Sequence, residues 1–400
     1  MKKLYMIQIA SKMQWQPYHI ILSVIVTILL SAGIVLTVLS VQDSSPLLII
    51  PQPSQAIALD WYYATDDWYF RDSVFSSDGE THYILTSNSQ LLVMSQGEIL
   101  DIYHFADTIT PGSLTIHPNG DELVIGAVER VGDEVYYQQG IILTIDTELL
   151  EITGKFAAPG SYNYGYSIEI NYTTTGDEIY HLYNLNNAGC SRTSNTLRRW
   201  DTTTSTYERM DLPSPFVFDF AVTDDVIAVN FSAMCFSSTY NPNLVLIGNE
   251  GDMYHFPSEG TSGYRDLQTS YDQQMLMAYL NNVESPFHST VHIWNVFDIV
   301  TEIEIDQRIQ RIALSPDNSL IALTLVRDDG EDNSSLELHL YNRDLKLVTL
   351  SLELSSNIPI QQLLFSPDGT KLLLRSPDQI AVFELPPDFQ LTSPVQLQHC

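Results

Sequence analysis

Basic residues are scarce in this chain: 18 Lys and Arg stand against 49 Asp and Glu, a formal net charge of −31 over 400 residues. A surface of that sign repels phosphate backbones and anionic headgroups, so nucleic acid is excluded as a partner. Cysteine is nearly absent at three residues, too few for a disulfide scaffold or a Cys-rich metal module. Reaction motifs are missing as well. There is no Gly-x-Ser-x-Gly elbow, no His-Glu-x-x-His and no Cys-x-x-Cys, and no Gly-rich phosphate loop opens a helix. After residue 41 hardly any segment carries the helical period. The sequence therefore assigns no catalytic residue, no cofactor and no metal ligand. The chain is not disordered either, since 44% hydrophobic residues and 22 tyrosines suffice to pack a large domain.

One long apolar run is present. Residues 20–41 form 22 consecutive positions without a formal charge, enough as a helix to span a ~30 Å hydrocarbon core. Lys2, Lys3 and Lys12 precede it and Asp43 is the first acid, so the positive-inside bias sets residues 1–19 as a cytoplasmic tail. The run exceeds the usual signal-peptide core, and an uncleaved, single-pass signal anchor is the expectation. Residues 42–55, with Pro46, Pro51 and Pro53, read as a short linker. Everything from 42 onward, linker and residues 56–400 alike, is then extracytoplasmic, and it holds all 49 acids.

That remainder echoes one phrase seven times. Phe365-Ser366-Pro367-Asp368-Gly369 before Leu372-Leu373-Leu374 is its clearest copy. Others begin at Phe75, Ile116 and Leu314, and weaker ones at Tyr172, Phe220 and Thr269. Pro presets the φ of a turn, Asp bonds its own downstream backbone, and Gly or Asn accepts the positive φ that follows. Each phrase is thus a tight turn between two inner strands. A third and fourth strand follow, as in Val291–Asn295 and Val300–Ile305. A repeat of roughly 40–50 residues with four short strands is the mark of a β-propeller blade. The expected fold class is all-β, a propeller of seven blades with four antiparallel strands each, preceded by one transmembrane helix. Ala56 to Tyr63 is left over and is expected to pair onto the last blade as an added or substitute outer strand, with a further strand within about 390–398.

The third strands end in an aromatic or aliphatic residue followed by Asp or Asn, unaltered as Trp-Asp only at Trp200-Asp201. The chain resembles WD40-like repeats on this account, and the Ser-Pro-Asp-Gly turns bring it nearer the bacterial TolB-type propellers. The resemblance implies that the turns joining strands a and b share one face, with the b–c and d–a loops on the other. The a–b turns are short and uniform, which suggests a structural face. The b–c loops are long and irregular, and with the d–a loops they are the expected binding surface. Tyr162, Tyr164, Tyr166, Arg192, Tyr240, Arg265 and His288 are its candidate contacts, Tyr and Arg being the residues that dominate hot spots. Cys190 and Cys235 fall in b–c loops of consecutive blades, so a disulfide between them is expected outside the cytoplasm.

The acidic stretch Asp328–Asn333 lacks the alternation of a calcium loop and reads as a hairpin tip. Asn171, Asn230 and Asn333 match the short glycosylation pattern. Two function classes follow from the sequence. The first is a membrane-tethered, non-catalytic platform for a protein or cell-envelope component, held in the bilayer through residues 20–41. The alternative resembles propeller lactonases, with a channel site assembled from separate blades. An apolar or Tyr-lined channel mouth favours the platform. A cluster of perturbed acids there favours the enzyme.

Overall fold

A computed structural model of the chain describes residues 58–385, apart from short segments at 133–136, 158–161, 164, 186–193, 211, 213–216, 232–241, 249–250, 258–263, 282–287, 296–297, 329–333, 343–346 and 355–358. Residues 1–57 and 386–400 therefore lie outside it, with the apolar run, the linker and the expected 390–398 strand. Among the described residues no helix is long and apolar enough to cross a membrane.

Seven antiparallel sheets of strands a to d make a seven-bladed propeller. The seven a strands are Phe70–Phe75, Ile109–Ile116, Gly165–Tyr172, Val217–Val222, Arg265–Thr269, Arg308–Leu314 and Gln362–Phe365. The hydrophobic core divides into seven clusters, and each joins two neighbouring blades. This is why the b strands, such as Leu372-Leu373-Leu374, read as continuous apolar runs: both of their faces are covered.

Ring closure uses the leftover segment. Strand Ala58–Ala64 pairs antiparallel with Gln379–Glu384 and supplies the outer strand of blade 7. Trp61, buried, packs among Phe75, Ile84, Met94, Ile380 and Val382 and so ties blade 7 to blade 1. The pairing covers an edge that would otherwise be open to other chains.

Six of the seven a–b turns match the phrase. The fourth residue donates its amide to the first residue's carbonyl, as Gly79 does to Ser76 at 2.9 Å and Gly369 to Ser366 at 2.8 Å. The serine hydroxyl bonds the turn carboxylate, Ser315 to Asp317 at 2.7 Å, and that carboxylate accepts the amide two residues on, from Ser319 at 3.0 Å. Glycine is required twice over, for positive φ and for close approach of the preceding blade. At Gly176, φ +75°, an added Cβ would fall 2.1 Å from His117 Nε2 of blade 2. Blade 4 departs from the pattern. Its turn has only Asp224 and Asp225 between Thr223 and Val226, whose backbones bond at 2.8 Å. The residue equivalent to Phe75 is thus Val222, two positions beyond the expected Phe220.

Candidate functional site

Position three before each turn is polar in all seven blades: Asp72, Ser113, Glu169, Asp219, Asp266, Arg311 and Gln362. In blades 1 to 4 and 6 a register shift falls immediately before it, and in blade 5 the irregularity includes it. Such a bulge re-aims the side chain, here from the packed blade interior toward the central channel. Except for buried Ser113 these residues are half-buried.

Each of the six then reaches the next blade. Asp72 accepts the Leu114 amide at 2.8 Å, and Glu169 accepts that of Phe220 at 3.2 Å. Asp219 accepts from Leu267 and Asp266 from Ile312, both at 2.8 Å. Arg311 Nε donates to the Gln361 carbonyl at 2.7 Å. Gln362 Nε2 returns to blade 1, on the Ser73 carbonyl at 3.0 Å and on Asp72 Oδ1 at 2.9 Å, so that six of the seven seams are bridged in this way. At the same seam the buried Arg375 guanidinium donates to the Phe70 carbonyl at 2.9 Å and to the side-chain oxygens of Gln361 and Gln362, both at 2.8 Å. The ring is a blade-to-blade staple, made of groups that stay buried because they are bonded.

Holding four carboxylates there strains their ionisation. Burial raises the Asp72 pKa, against the pull of Arg375. Burial pushes Asp266 up to about 6, opposed by Arg311. Glu169 rises well above the ordinary range through burial and the charge of Asp219, to which it is hydrogen-bonded. One proton shared by that pair is the physical consequence. Burial brings Arg375 down to about 10.

Toward the a–b turns the channel widens into a cavity of about 290 Å³, lined largely by Val74, Leu364, Phe365, Pro118, Pro367 and Tyr271 together with Asn171 and Gln273. It opens on the face that the sequence suggests is merely structural. Residues from blades 1, 2, 3, 5 and 7 line it, and none from blades 4 and 6. A more open hollow of about 390 Å³ lies along Glu302–Gln307 and Tyr341, at the boundary of blades 5 and 6. Among the described residues no group of three or more His, Cys, Asp or Glu could hold a metal ion.

The sequence-derived contacts fall as follows. Tyr162 sits on a two-residue strand paired to Tyr137–Asp146 of blade 2, and Tyr166 on strand a of blade 3. Arg265 is exposed at the start of strand a of blade 5, and His288 is half-buried just before strand c of that blade. Tyr164, Arg192, Tyr240, Cys190 and Cys235 lie outside the described residues, as does all of the acidic tip but Asp328. Strands run further into the b–c loops than the sequence suggests, leaving 131–136 and 282–288 in blades 2 and 5. Asn230 is buried and its Nδ2 donates to the Tyr264 carbonyl, so it is no glycan acceptor.

The channel ring was missed by motif reading, yet the sequence carries it: a polar residue sits three before the phrase in every copy once blade 4 starts at Val222. Starting blade 4 at Phe220 puts Val217 there and breaks the pattern.

No protein-family model and no curated protein matches the sequence. Solved structures do match. "Structure of U3-55K" is similar at TM-score 0.58 and 11% identity, covering 82% of this chain and 100% of that one. "Crystal structure of RRP9 WD40 repeats" is similar at TM-score 0.57 and 12% identity, covering 85% and 100%. At such identities the likeness is one of fold, and the fold is that of the seven-bladed WD40-repeat propellers.

Proposed function

We propose that the chain is a non-catalytic interaction platform: a rigid propeller, exported and tethered to the cell membrane through residues 20–41, that presents its b–c and d–a loops to a protein or cell-envelope component. The observation that carries this reading is the use to which the channel acids are put. Asp72, Glu169, Asp219 and Asp266 each spend an oxygen on the amide of the next blade. A general acid or base needs a free oxygen within reach of substrate, in a site with room for it. These carboxylates hold the ring together, and the cavity beyond them is lined by Val, Ile, Leu, Phe, Pro and Tyr interspersed with Ser, Thr, Asn, Gln and a single histidine, His117, and carries no carboxylate of its own. The raised carboxyls of Asp72, Asp266 and the Glu169–Asp219 pair are the features that favour a channel hydrolase. Each is tied to hydrogen-bonded neighbours, and among the described residues no group of three or more His, Cys, Asp or Glu could hold a metal ion.

The strongly acidic exterior suits a partner of basic surface. Tyr164, Arg192, Tyr240 and Arg265 are the proposed contacts on the loop face, with a Cys190–Cys235 disulfide stiffening it. The test is a pull-down from solubilised native membranes with the full chain as bait and a Tyr164/Arg192/Tyr240 triple Ala variant beside it. Capture by the parent and loss by the variant is the expected result. Equal capture by both would remove the loop face from the proposal.

A further inference from the structure

The a–b turn of blade 5 breaks its own rule. It reads Ser270-Tyr271-Asp272-Gln273, with Tyr where Pro stands in three other turns and Gln where the rest carry Gly or Asn. Gln273 nevertheless holds φ +51°, a left-handed conformation that a Gln side chain resists. Strain of this kind persists where the surroundings enforce it, and it concentrates at functional sites.

Space allows the substitution. Elsewhere the turn Gly faces the preceding blade's turn, but blade 4's turn is too short to fill the place. The Gln273 side chain extends across it and donates from Nε2 to the Tyr172 carbonyl of blade 3 at 2.8 Å. Asp224 of the shortened turn is held from both sides, by Thr174 Oγ1 at 2.6 Å and Gln274 Nε2 at 2.7 Å. Gln273 Oε1 is left buried, and among the described residues no donor reaches it. Buried acceptors of this kind are rare and call for an explanation. Gln273 and Tyr271, the two departures from the turn pattern, both line the channel-mouth cavity.

Charge identifies what suits it. Five of the seven a–b turns carry a carboxylate, from Asp78 in blade 1 to Asp368 in blade 7, Asp121 and Asp177 directly follow the other two, and none of the turns carries Lys or Arg. Beneath the cavity lie the four channel carboxylates with only Arg311 and Arg375 to offset them. Asn171, a lining residue, donates to Glu169 at 3.1 Å and connects the two levels. A concave site with low-dielectric walls between two layers of one sign focuses that potential onto its mouth. At about 290 Å³ the cavity is at the small end of ligand pockets, with room for one long side chain.

We propose that this cavity is a second binding site, which receives the cationic side chain, Arg or Lys, of a basic segment of a partner protein. The apolar stem lies against Val74, Leu364 and Pro367. The aromatic rings of Phe365 and Tyr271 favour the cationic head, and Gln273 Oε1, buried and unbonded in the free protein, turns toward the cavity to accept one of its N–H groups. Arg is the better fit because its planar head combines stacking with a directed donor. The site rests on the platform reading only in taking a protein as its source.

The test is direct binding of the detergent-solubilised full chain to a fluorescein-labelled peptide, Gly-Ser-Arg-Ser-Gly-Lys-Gly. A twin with citrulline for Arg and Gln for Lys keeps the shape and removes the charge. Gln273→Gly removes the acceptor while restoring the residue the turn prefers, so it folds. Tyr271→Ser opens the wall, and Asp201→Asn, at the c–d turn of blade 3, removes one exposed charge away from the cavity. Binding is expected to fall at least tenfold in Gln273→Gly and Tyr271→Ser, to stay within twofold in Asp201→Asn, and to fail with the uncharged peptide. Equal affinity in Gln273→Gly and the parent would overturn the proposal. So would parallel weakening in all three variants, which would mark general attraction to a polyanion. Loss of binding in the loop-face triple variant alone would place the peptide on the opposite face, sinking this site and leaving the platform standing.

Discussion

Asp266 offers the sharpest physical test of the channel ring, because replacing it should stabilise the protein and do so only above a particular pH. Its carboxyl is pushed from an ordinary 3.8 to about 6, chiefly by burial. A raised folded-state pKa means that the folded protein holds a proton which the unfolded chain releases. The favourable contribution is therefore complete below the unfolded pKa and is lost as pH rises through about 6. At pH 7.5 the ionised group opposes folding by roughly two units at ~1.36 kcal/mol each, or about 3 kcal/mol as an upper bound. Water in the channel lumen reduces this to about 1–2 kcal/mol. Asp266→Asn keeps an oxygen for the Ile312 amide, and Asn is among the residues that best tolerate the φ of +56° found here. Unfolding entropy of ~2.1 cal/mol/K per residue over about 330 residues gives about 0.7 kcal/mol/K, so the gain amounts to a Tm rise of about 2–3 °C at pH 7.5. At about pH 3, below the unfolded pKa, the variant and the parent should melt together. Differential scanning calorimetry of the full chain at both pH values, with ionic strength fixed, makes the comparison. A variant destabilised at pH 7.5, or shifted equally at both pH values, would refute the burial argument.

The other expectations concern the seam and the odd turn. Trp61→Ala removes the closure strand's buried anchor and should cost about 3–5 kcal/mol, or about 5–7 °C of Tm on the same entropy. Deleting 58–64 should also expose the Gln379–Glu384 edge and promote association visible by light scattering, and an unchanged melt would mean that the ring closes by other contacts. Arg375→Met strands the Phe70 carbonyl and leaves Asp72 without its cation, a loss of about 3–5 kcal/mol at pH 7.5. Because Asp72 can take up a proton, that loss should be smaller at pH 5 by denaturant titration, and a pH-independent loss would separate the two residues. Gln273→Gly exchanges a hydrogen bond of about 1 kcal/mol for about the same relief of φ strain. Its Tm should stay within about 2 °C, whereas a fall beyond 5 °C would make Gln273 a structural crosslink and not a ligand group.

The blades were legible because their determinants are local. Ser-Pro-Asp-Gly carries its turn within four residues, each bond made to a neighbour in the chain. The aliphatic runs after it register burial on both faces, and Trp200 and Trp294 lie where third strands end. The closure strand was legible by remainder, since Ala56 to Tyr63 belonged to no repeat, although the sequence also offered blade 7 a fourth strand of its own within about 390–398. Its register, Leu59 on Phe383 and Trp61 on Val382 with a bulge between, was not. Pairing across 320 residues leaves no mark in the spacing of either segment.

The channel was harder to read, for a reason that bears on its function. A residue such as Asp219 is polar inside an apolar strand, and one copy of that pattern reads as an irregularity. Seven copies in register read as a ring, but only when the register is right, and blade 4 has lost the phrase that sets it. The same loss shortens the Asp224–Asp225 turn, admits the Gln273 side chain across the place it leaves, and leaves that residue, at the cavity wall, with a buried acceptor that no described donor reaches. A repeat specifies a scaffold by what its copies share, so recognition has to be sought where one copy departs. In this chain blades 4 and 5 depart together, on the face whose uniform turns suggested that nothing happens there. If the cavity binds a basic side chain, the evolution of that site required no new motif, only a turn shortened in one blade and a Gly position changed to Gln in the next.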